Sequence, residues 1–302
     1  MPQLAPGHVL VEVRAAGVTF PDLLLTYGRY QETPVIPFTL GGEFAGVVVS
    51  AAPDSEWSAG DRVVGSSANC AFAEYAAVPS ERLLPLPETV SFDHGACLPA
   101  NYLTMLFALT ERGRMRPGER VLVHGASGGV GGAAIRLALA LGAGEVFAVT
   151  SSSVPGIDER VTVVDVADFA AEIRRCTAGA GVDVVVDPVG GERPLHSASC
   201  LAPGGRLLIV GFAGGEIPIV DLRTLPKSNV ELVGVGWGAH LARHPEALQP
   251  MWAQLVRLLE GRPDLLPVID RVAPLDETAS ALRALEAREA RGRIVLRPQG
   301  SA

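Results

Sequence analysis

The stretch Arg120-Val121-Leu122-Val123-His124-Gly125-Ala126-Ser127-Gly128-Gly129-Val130-Gly131 decides how the 302-residue chain is read. Its first five residues, apolar at Val121-Leu122-Val123, read as a strand, and the Ala- and Leu-rich residues 131–141 that follow predict a helix. The turn between them is almost bare of side chains. Small residues at Ala126 and Ser127 allow a tight turn, Gly128 lets a ligand approach the backbone, and Gly131 lets the helix lie close to the sheet. A helix starting there offers unpaired N–H groups and a partial positive charge, the complement of a diphosphate. Ala126, Ser127, Gly128, Gly129 and Val130 therefore read as a dinucleotide cradle, with alanine at 126 where G-x-G-x-x-G has its first glycine. The bland alternative is a glycine-rich turn that binds nothing.

Further apolar runs follow at 146–149, 182–186, 207–210 and 232–235, spaced by helical segments. Runs of this kind are parallel strands buried on both faces, the doubly wound α/β pattern. Before the cradle, residues 8–99 read as short strands between Gly, Pro and Asp turns. Val9, Val11 and Val13 alternate with Leu10, Glu12 and Arg14, and strands are also expected at 43–50 and 72–78. Residues 102–109 are helical in composition and stop near Gly113. Toward the end, one helix is expected over 246–260 with Met251, Leu255 and Leu258 on one side. A second, capped by Asp276, presents Ala279, Leu282 and Leu285 and stops near Gly292, before a last strand Ile294-Val295-Leu296.

Composition narrows the classes. Hydrophobic residues make up 48% of the chain, which favours packed cores over disorder. With 25 basic and 33 acidic residues the net charge is -8, which opposes non-specific attraction to nucleic acid or acidic membranes. No apolar run approaches the roughly 18 residues that span a bilayer. The start, Met1-Pro2-Gln3-Leu4-Ala5-Pro6-Gly7, lacks the features of a secretion signal. Cys70, Cys97, Cys176 and Cys200 have no CxxC spacing, so buried free thiols are expected rather than a zinc site or disulfides. The expected setting is the cytoplasm, without a nucleic-acid or membrane partner.

The end of the second parallel strand addresses which dinucleotide is bound. An NAD site usually carries an acid there to hold the ribose 2′-hydroxyl. This chain has Thr150-Ser151-Ser152-Ser153 instead, and no acid before Asp158. Hydroxyls accept a 2′-phosphate that a carboxylate would repel, so NADPH is expected, with Thr150, Ser151 and Ser152 as its contacts. The competing reading is an ordinary Ser-rich loop.

Several motifs, in order, resemble the zinc-free quinone oxidoreductases, the zeta-crystallin-like branch of the medium-chain dehydrogenases and reductases. They are Gly17-Val18-Thr19-Phe20-Pro21-Asp22-Leu23-Leu24 through Gly28-Arg29-Tyr30, Gly41-Gly42-Glu43-Phe44-Ala45-Gly46, Pro99-Ala100-Asn101-Tyr102-Leu103-Thr104, the cradle, Asp187-Pro188-Val189-Gly190-Gly191, and Val233-Gly234-Val235-Gly236-Trp237-Gly238. The resemblance implies a Rossmann doubly wound parallel sheet, residues 100–238, inserted in a GroES-like β-rich catalytic domain, residues 1–99 and 239–302. It implies an active site in the cleft between them, a homodimer, and hydride transfer from NADPH to a small-molecule quinone or enone.

Carried over by position, the resemblance places Thr19 and Tyr30 at the pocket and Thr104 near the nicotinamide. Gly211, Phe212, Gly236 and Trp237 fall in loops closing over the cofactor, and Arg293 near its phosphates. The chain begins later than its relatives do, so the first strands of the catalytic domain are expected to be absent. The stretch 153–161 is short, so the helix that normally brings a lysine to the 2′-phosphate is expected to be reduced or lost. Zinc-dependent cousins need Cys or His, a second His and a carboxylate, and Thr19, Gly42 and Glu43 at those positions predict no metal. Catalysis would then rest on alignment and on hydrogen bonds from Thr19, Tyr30 and Asn101 to the developing oxyanion. The blander readings are a strand-end residue, a buried aromatic and a helix cap, respectively. Rival functions are an enoyl-thioester reductase and a non-catalytic NADPH-binding sensor.

Overall fold

The computed structural model describes residues 4–31, 34–66, 69–154, 158–220, 223, 225–226 and 229–298. Strand β1 (His8–Val18) buries Val9, Val11 and Val13 as their alternation requires, but Leu10 is buried too. A register shift between Leu10 and Val11 breaks the strict alternation, as a bulge does. Helix α1 (Phe20–Thr26) follows at once, with Pro21 in its first turn, where a missing N–H costs nothing. Then come β2 (Glu43–Ser50), β3 (Arg62–Ser66), β4 (Tyr75–Pro79), β5 (Leu83–Pro85) and α2 (Phe92–Gly95). Strand β4 begins at Tyr75 rather than Phe72.

Helix α3 (Asn101–Phe107) continues into a wider π turn and ends at Gly113. Next are β6 (Arg120–His124), α4 (Gly129–Ala140), β7 (Glu145–Val149), β8 (Val161–Val164), α5 (Phe169–Cys176), β9 (Val182–Asp187), α6 (Arg193–Ala198), β10 (Leu201–Ile209), β11 (Glu231–Gly234), α7 (Trp237–Leu241) and α8 (Leu248–Leu259). The six strands form one sheet in the order β11-β10-β9-β6-β7-β8, every pair parallel. The chain moves outward from β6 to β8, then returns to β9 and moves the other way. The sheet's switch point therefore lies between β6 and β9, where open α/β sheets take their ligands. Helix α5 covers one face, with Phe169 and Ile173 packed among Leu122, Phe147 and Val149.

Parallel neighbours are normally joined by a crossover helix. Between β7 and β8 the described residues form none. Val163 shares its face with Ala148, opposite the Phe147 and Val164 side, and it is 44% exposed on β8.

The chain closes with β12 (Ile269–Pro274), α9 (Thr278–Glu286) and β13 (Arg293–Arg297). These strands join the first sheet, whose order is β12-β13-β1-β2-β3-β5 with β4 also on β1. Two units result, residues 1–100 with 267–302, and residues 101–266. The expected change of unit at 238/239 falls at 266/267 instead. The reason is α8, which buries Leu248, Met251, Trp252, Leu255 and Leu259 and packs on α3. The Tyr102 hydroxyl also donates to the Leu265 carbonyl at 2.6 Å.

Smaller expectations shift as well. Leu259 rather than Leu258 is buried on α8, and the buried face of α9 is Ala281, Leu282 and Ala284, with Glu277 rather than Asp276 in its cap position. Cys97 and Cys200 are buried, but Cys176 is exposed. Among the described residues no helix is long and apolar enough to cross a membrane.

Candidate functional site

The cradle forms as a strand, a turn and a helix at the switch point. Gly125 takes φ +61°, a conformation that suits glycine, and the Gly128 amide closes the turn onto the Gly125 carbonyl at 3.0 Å. A Cβ on Gly131 would lie 2.2 Å from that carbonyl oxygen and 2.8 Å from Ala126 Cα, so only glycine lets α4 sit this close. A Cβ on Gly128 would meet only the Gly125 carbonyl, at 3.4 Å, which leaves the approach over this backbone open. Gly128 is the N-cap, and no side chain caps α4. The first-turn amides, Gly129 to Gly131, are those that helix geometry leaves without intrahelical partners. These residues fit a diphosphate.

The hydroxyls at the end of β7 are stitched to this turn. Thr150 Oγ1 donates to Ser127 Oγ at 3.2 Å and accepts from the Ser152 amide at 3.0 Å. Thr150 is buried, Ser152 half-buried and Ser151 exposed. Ala126 is the exception in the predicted set. Its side chain is buried and its amide donates to the Val149 carbonyl at 3.3 Å, so it shapes the turn and offers a ligand neither group.

Behind the cradle, His124 is wholly buried, with Nε2 2.8 Å from Ser197 Oγ and its ring edge-on to Phe169. Burial, helped by the nearby Arg193 guanidinium, pushes the imidazole down to about 3. It is neutral in the fold but takes a proton near 6.5 when unfolded. The unfolded chain thus binds more protons between these values, so this stability is present above pH 6.5 and is lost as pH falls toward 3. Denaturant unfolding should show about 2–3 kcal/mol less stability at pH 4.5 than at pH 7.5, over and above the change seen in His124→Gln. Equal pH dependence in the two proteins would remove this account. Asp187, one place beyond the Val123–Val186 pairing, closes an Asx turn. Its Oδ1 accepts from the amides of Val189 (2.8 Å) and Gly190 (3.0 Å), while burial raises its pKa.

Two of the predicted residues have partners that the sequence did not name. Trp237, expected in a loop closing over the cofactor, is buried at the start of α7 against Phe107 (5.3 Å) and His240, where α3 and α7 pack together. Arg293 was expected at the cofactor phosphates, but its guanidinium is buried and paired with fully buried Glu43 by a very short contact. The other Glu43 oxygen accepts from the Ala100 amide at 2.7 Å, and Gly17 leaves the room, since its Cβ would collide with both charged groups. The sequence did carry a signal for this pair. Glu43 opens an otherwise apolar strand, and a carboxylate there must find a cation.

The remaining candidates divide between the units. Gly211 and exposed Phe212 follow β10 on a loop joined to the β9 loop by Ala213 N to Pro188 O (3.1 Å) and Gly214 N to Val189 O (2.8 Å). Gly236 is exposed and Thr104 half-buried on α3. Asn101 is the first residue of α3 rather than its cap, and its buried Nδ2 has no hydrogen-bond partner among the described residues. In the first unit Tyr30 is half-buried, and Thr19 is buried with Oγ1 donating to Asp22 Oδ2 at 2.5 Å. Asp22, which the sequence reading passed over, also accepts from the Thr19 amide at 2.8 Å. Thr19, Gly42 and Glu43 do not fit a zinc site. The hydroxyl is engaged with Asp22, glycine has no ligand atom, and both Glu43 oxygens are bound. No group of three or more His, Cys, Asp or Glu side chains among the described residues could hold a metal.

A GroES-like unit with an inserted Rossmann sheet and a glycine-rich turn at its switch point defines a medium-chain dehydrogenase/reductase. Residues 5–88 match the family described as alcohol dehydrogenase GroES-like domain, and residues 129–260 the one described as zinc-binding dehydrogenase. Within that superfamily the chain belongs to the zinc-free quinone oxidoreductase branch. It is 33% identical to quinone oxidoreductase-like protein 2 of Bos taurus, over 96% of this chain and 85% of that one. A probable oxidoreductase from Mycobacterium abscessus superposes with a TM-score of 0.88 at 37% identity, covering 99% of this chain and 92% of that one. A mycobacterial protein solved in complex with NADPH superposes at 0.86 with 30% identity, over 98% and 93%. The chain is an oxidoreductase of the medium-chain type.

Proposed function

We propose that the chain is an NADPH-dependent, zinc-independent reductase that passes hydride to a quinone or related conjugated carbonyl, as a homodimer. The observation that carries this reading is the uncapped start of α4, held against the Gly125 carbonyl by a glycine that no other residue can replace. Amides of Gly129 and Val130 would hold the diphosphate over the bare backbone of Gly128, with Ser127, Thr150, Ser151 and Ser152 at the ribose end. The nicotinamide supplies the hydride when bound. Thr104, Gly211, Phe212 and Gly236 are assigned to its surroundings on family position.

A quinone is already electrophilic, so alignment and a few hydrogen bonds suffice without a Lewis acid. Asn101 has the best claim as a donor, because a buried N–H without a partner is costly unless a ligand satisfies it. Thr19 already donates to Asp22, so it donates to substrate only when Asp22 gives that bond up. Tyr30 is kept as a donor on family position.

Steady-state NADPH oxidation tests the reading. 9,10-Phenanthrenequinone should be reduced with a kcat/KM at least about tenfold above that of a crotonyl thioester. A reversed order would make the chain an enoyl-thioester reductase, and binding without turnover would make it a sensor. No NADPH binding would end the proposal.

A further inference from the structure

We infer that the ribose end of the dinucleotide is read by neutral hydroxyl and amide groups alone, so that NADPH is preferred to NADH by about tenfold or less. The inference rests on the proposed function and concerns the end of β7. Thr150 fixes two other groups there, Ser127 Oγ at 3.2 Å and the Ser152 amide at 3.0 Å, and together they form one hydroxyl cluster. No charged side chain occurs from residue 150 to residue 157. Of the next ionic residues Glu159 is exposed, Asp158 and Arg160 pair with each other, and Arg262, near enough to act on Asp158, is held by Asp264 at 2.8 Å. Arg160 Nε and Nη2 reach the two oxygens of Asp158 at 2.9 and 2.8 Å, and the Arg160 amide also bonds Asp158 at 2.9 Å. Past β8, Asp165 accepts from the Ala167 amide at 2.8 Å. Between β7 and β8 the described residues provide no crossover helix to present a cation.

Among the described residues at the end of β7, each way of discriminating strongly is therefore missing. A carboxylate at this point would hold the ribose diol and repel a 2′-phosphate. A lysine or arginine would form the charge-assisted bonds that hold a phosphate tightly. Neutral donors do neither. They replace part of the phosphate's hydration and give a small preference. Since no ion pair forms, that preference hardly responds to salt. Thr150 is a positioning residue in this scheme, because it orients Ser127 and Ser152.

Cofactor fluorescence titrations with NADPH and NADH, at roughly 50 and 300 mM sodium chloride, read this directly. For the unaltered chain the ratio of dissociation constants should favour NADPH by no more than about tenfold and change less than about twofold with salt. Thr150→Val should weaken NADPH more than NADH, so that the two dissociation constants converge, and Thr150→Ser should restore the preference. Ser151→Lys should raise the preference by about tenfold or more and make it fall with salt. A larger preference in the unaltered chain, falling with salt, would reveal a cation at the ribose and overturn the inference. Tighter binding of NADH would overturn it too. Either result would leave dinucleotide binding standing, whereas absence of binding by both nucleotides would remove the proposed function itself.

Discussion

Exchanging Arg293 for methionine is expected to lower the unfolding free energy by about 3–5 kcal/mol, the cost of leaving a buried charge alone. Glu43 is fully buried, and its other hydrogen bond among the described residues comes from the Ala100 amide, a neutral donor that does not replace the guanidinium's charge. The neighbouring Cys97 thiol, which burial pushes up to about 11, brings no charge of its own. Burial already raises the Glu43 carboxyl to about 7 against the pull of Arg293, and removal of Arg293 raises it further.

That sets the pH dependence. A carboxyl raised in the fold binds its proton more tightly there than when unfolded, so stability falls as pH rises from about 4.5 through the folded value. The loss in Arg293→Met should therefore be larger at pH 8 than at pH 5 in urea unfolding. Glu43→Gln combined with Arg293→Met should recover most of it, because no unpaired charge remains. Unchanged stability with lost cofactor affinity would instead return Arg293 to the phosphates.

Placing valine at Gly131 should abolish dinucleotide binding, with affinity falling by about a hundredfold or more, and destabilise the unit by roughly 1–3 kcal/mol. The three atoms that a side chain would meet first, the Gly125 carbonyl oxygen and carbon and Ala126 Cα, belong to the backbone and cannot swing aside. The helix must then move off the turn, taking its first amides with it. Gly128→Ala separates binding from folding. Its backbone is extended (φ −87°, ψ 173°) and its Cβ makes only an ordinary contact, so stability should stay within about 0.5 kcal/mol. A phosphate seated on that backbone would still collide with the new methyl group, and titration should show binding weakened by about tenfold or more. Normal binding in both variants would place the diphosphate elsewhere.

The cradle was legible because its causes are local. Strand, turn and helix are contiguous from residue 120 to 140, and the glycines there answer constraints set by atoms a few positions away. The parallel sheet was legible for a related reason, since runs buried on both faces look alike wherever the chain places them. Thr150 could be named because the end of the second strand of such a sheet always lies beside the turn that follows the first.

The partners of Arg293 and Trp237 were not legible, because position in a motif says where a residue begins and not which way its side chain turns. Arg293 meets Glu43 across 250 positions of sequence, and Trp237 meets Phe107 across the packing of α7 on α3. Residues 239–266 likewise joined the second unit through the apolar face of α8. By itself the sequence determined the doubly wound sheet and its uncapped helix start, since periodicity and small residues act over a turn or two. The tertiary structure alone decided which buried charge meets which and where the second unit ends, because desolvation and packing depend on neighbours that chain order does not specify.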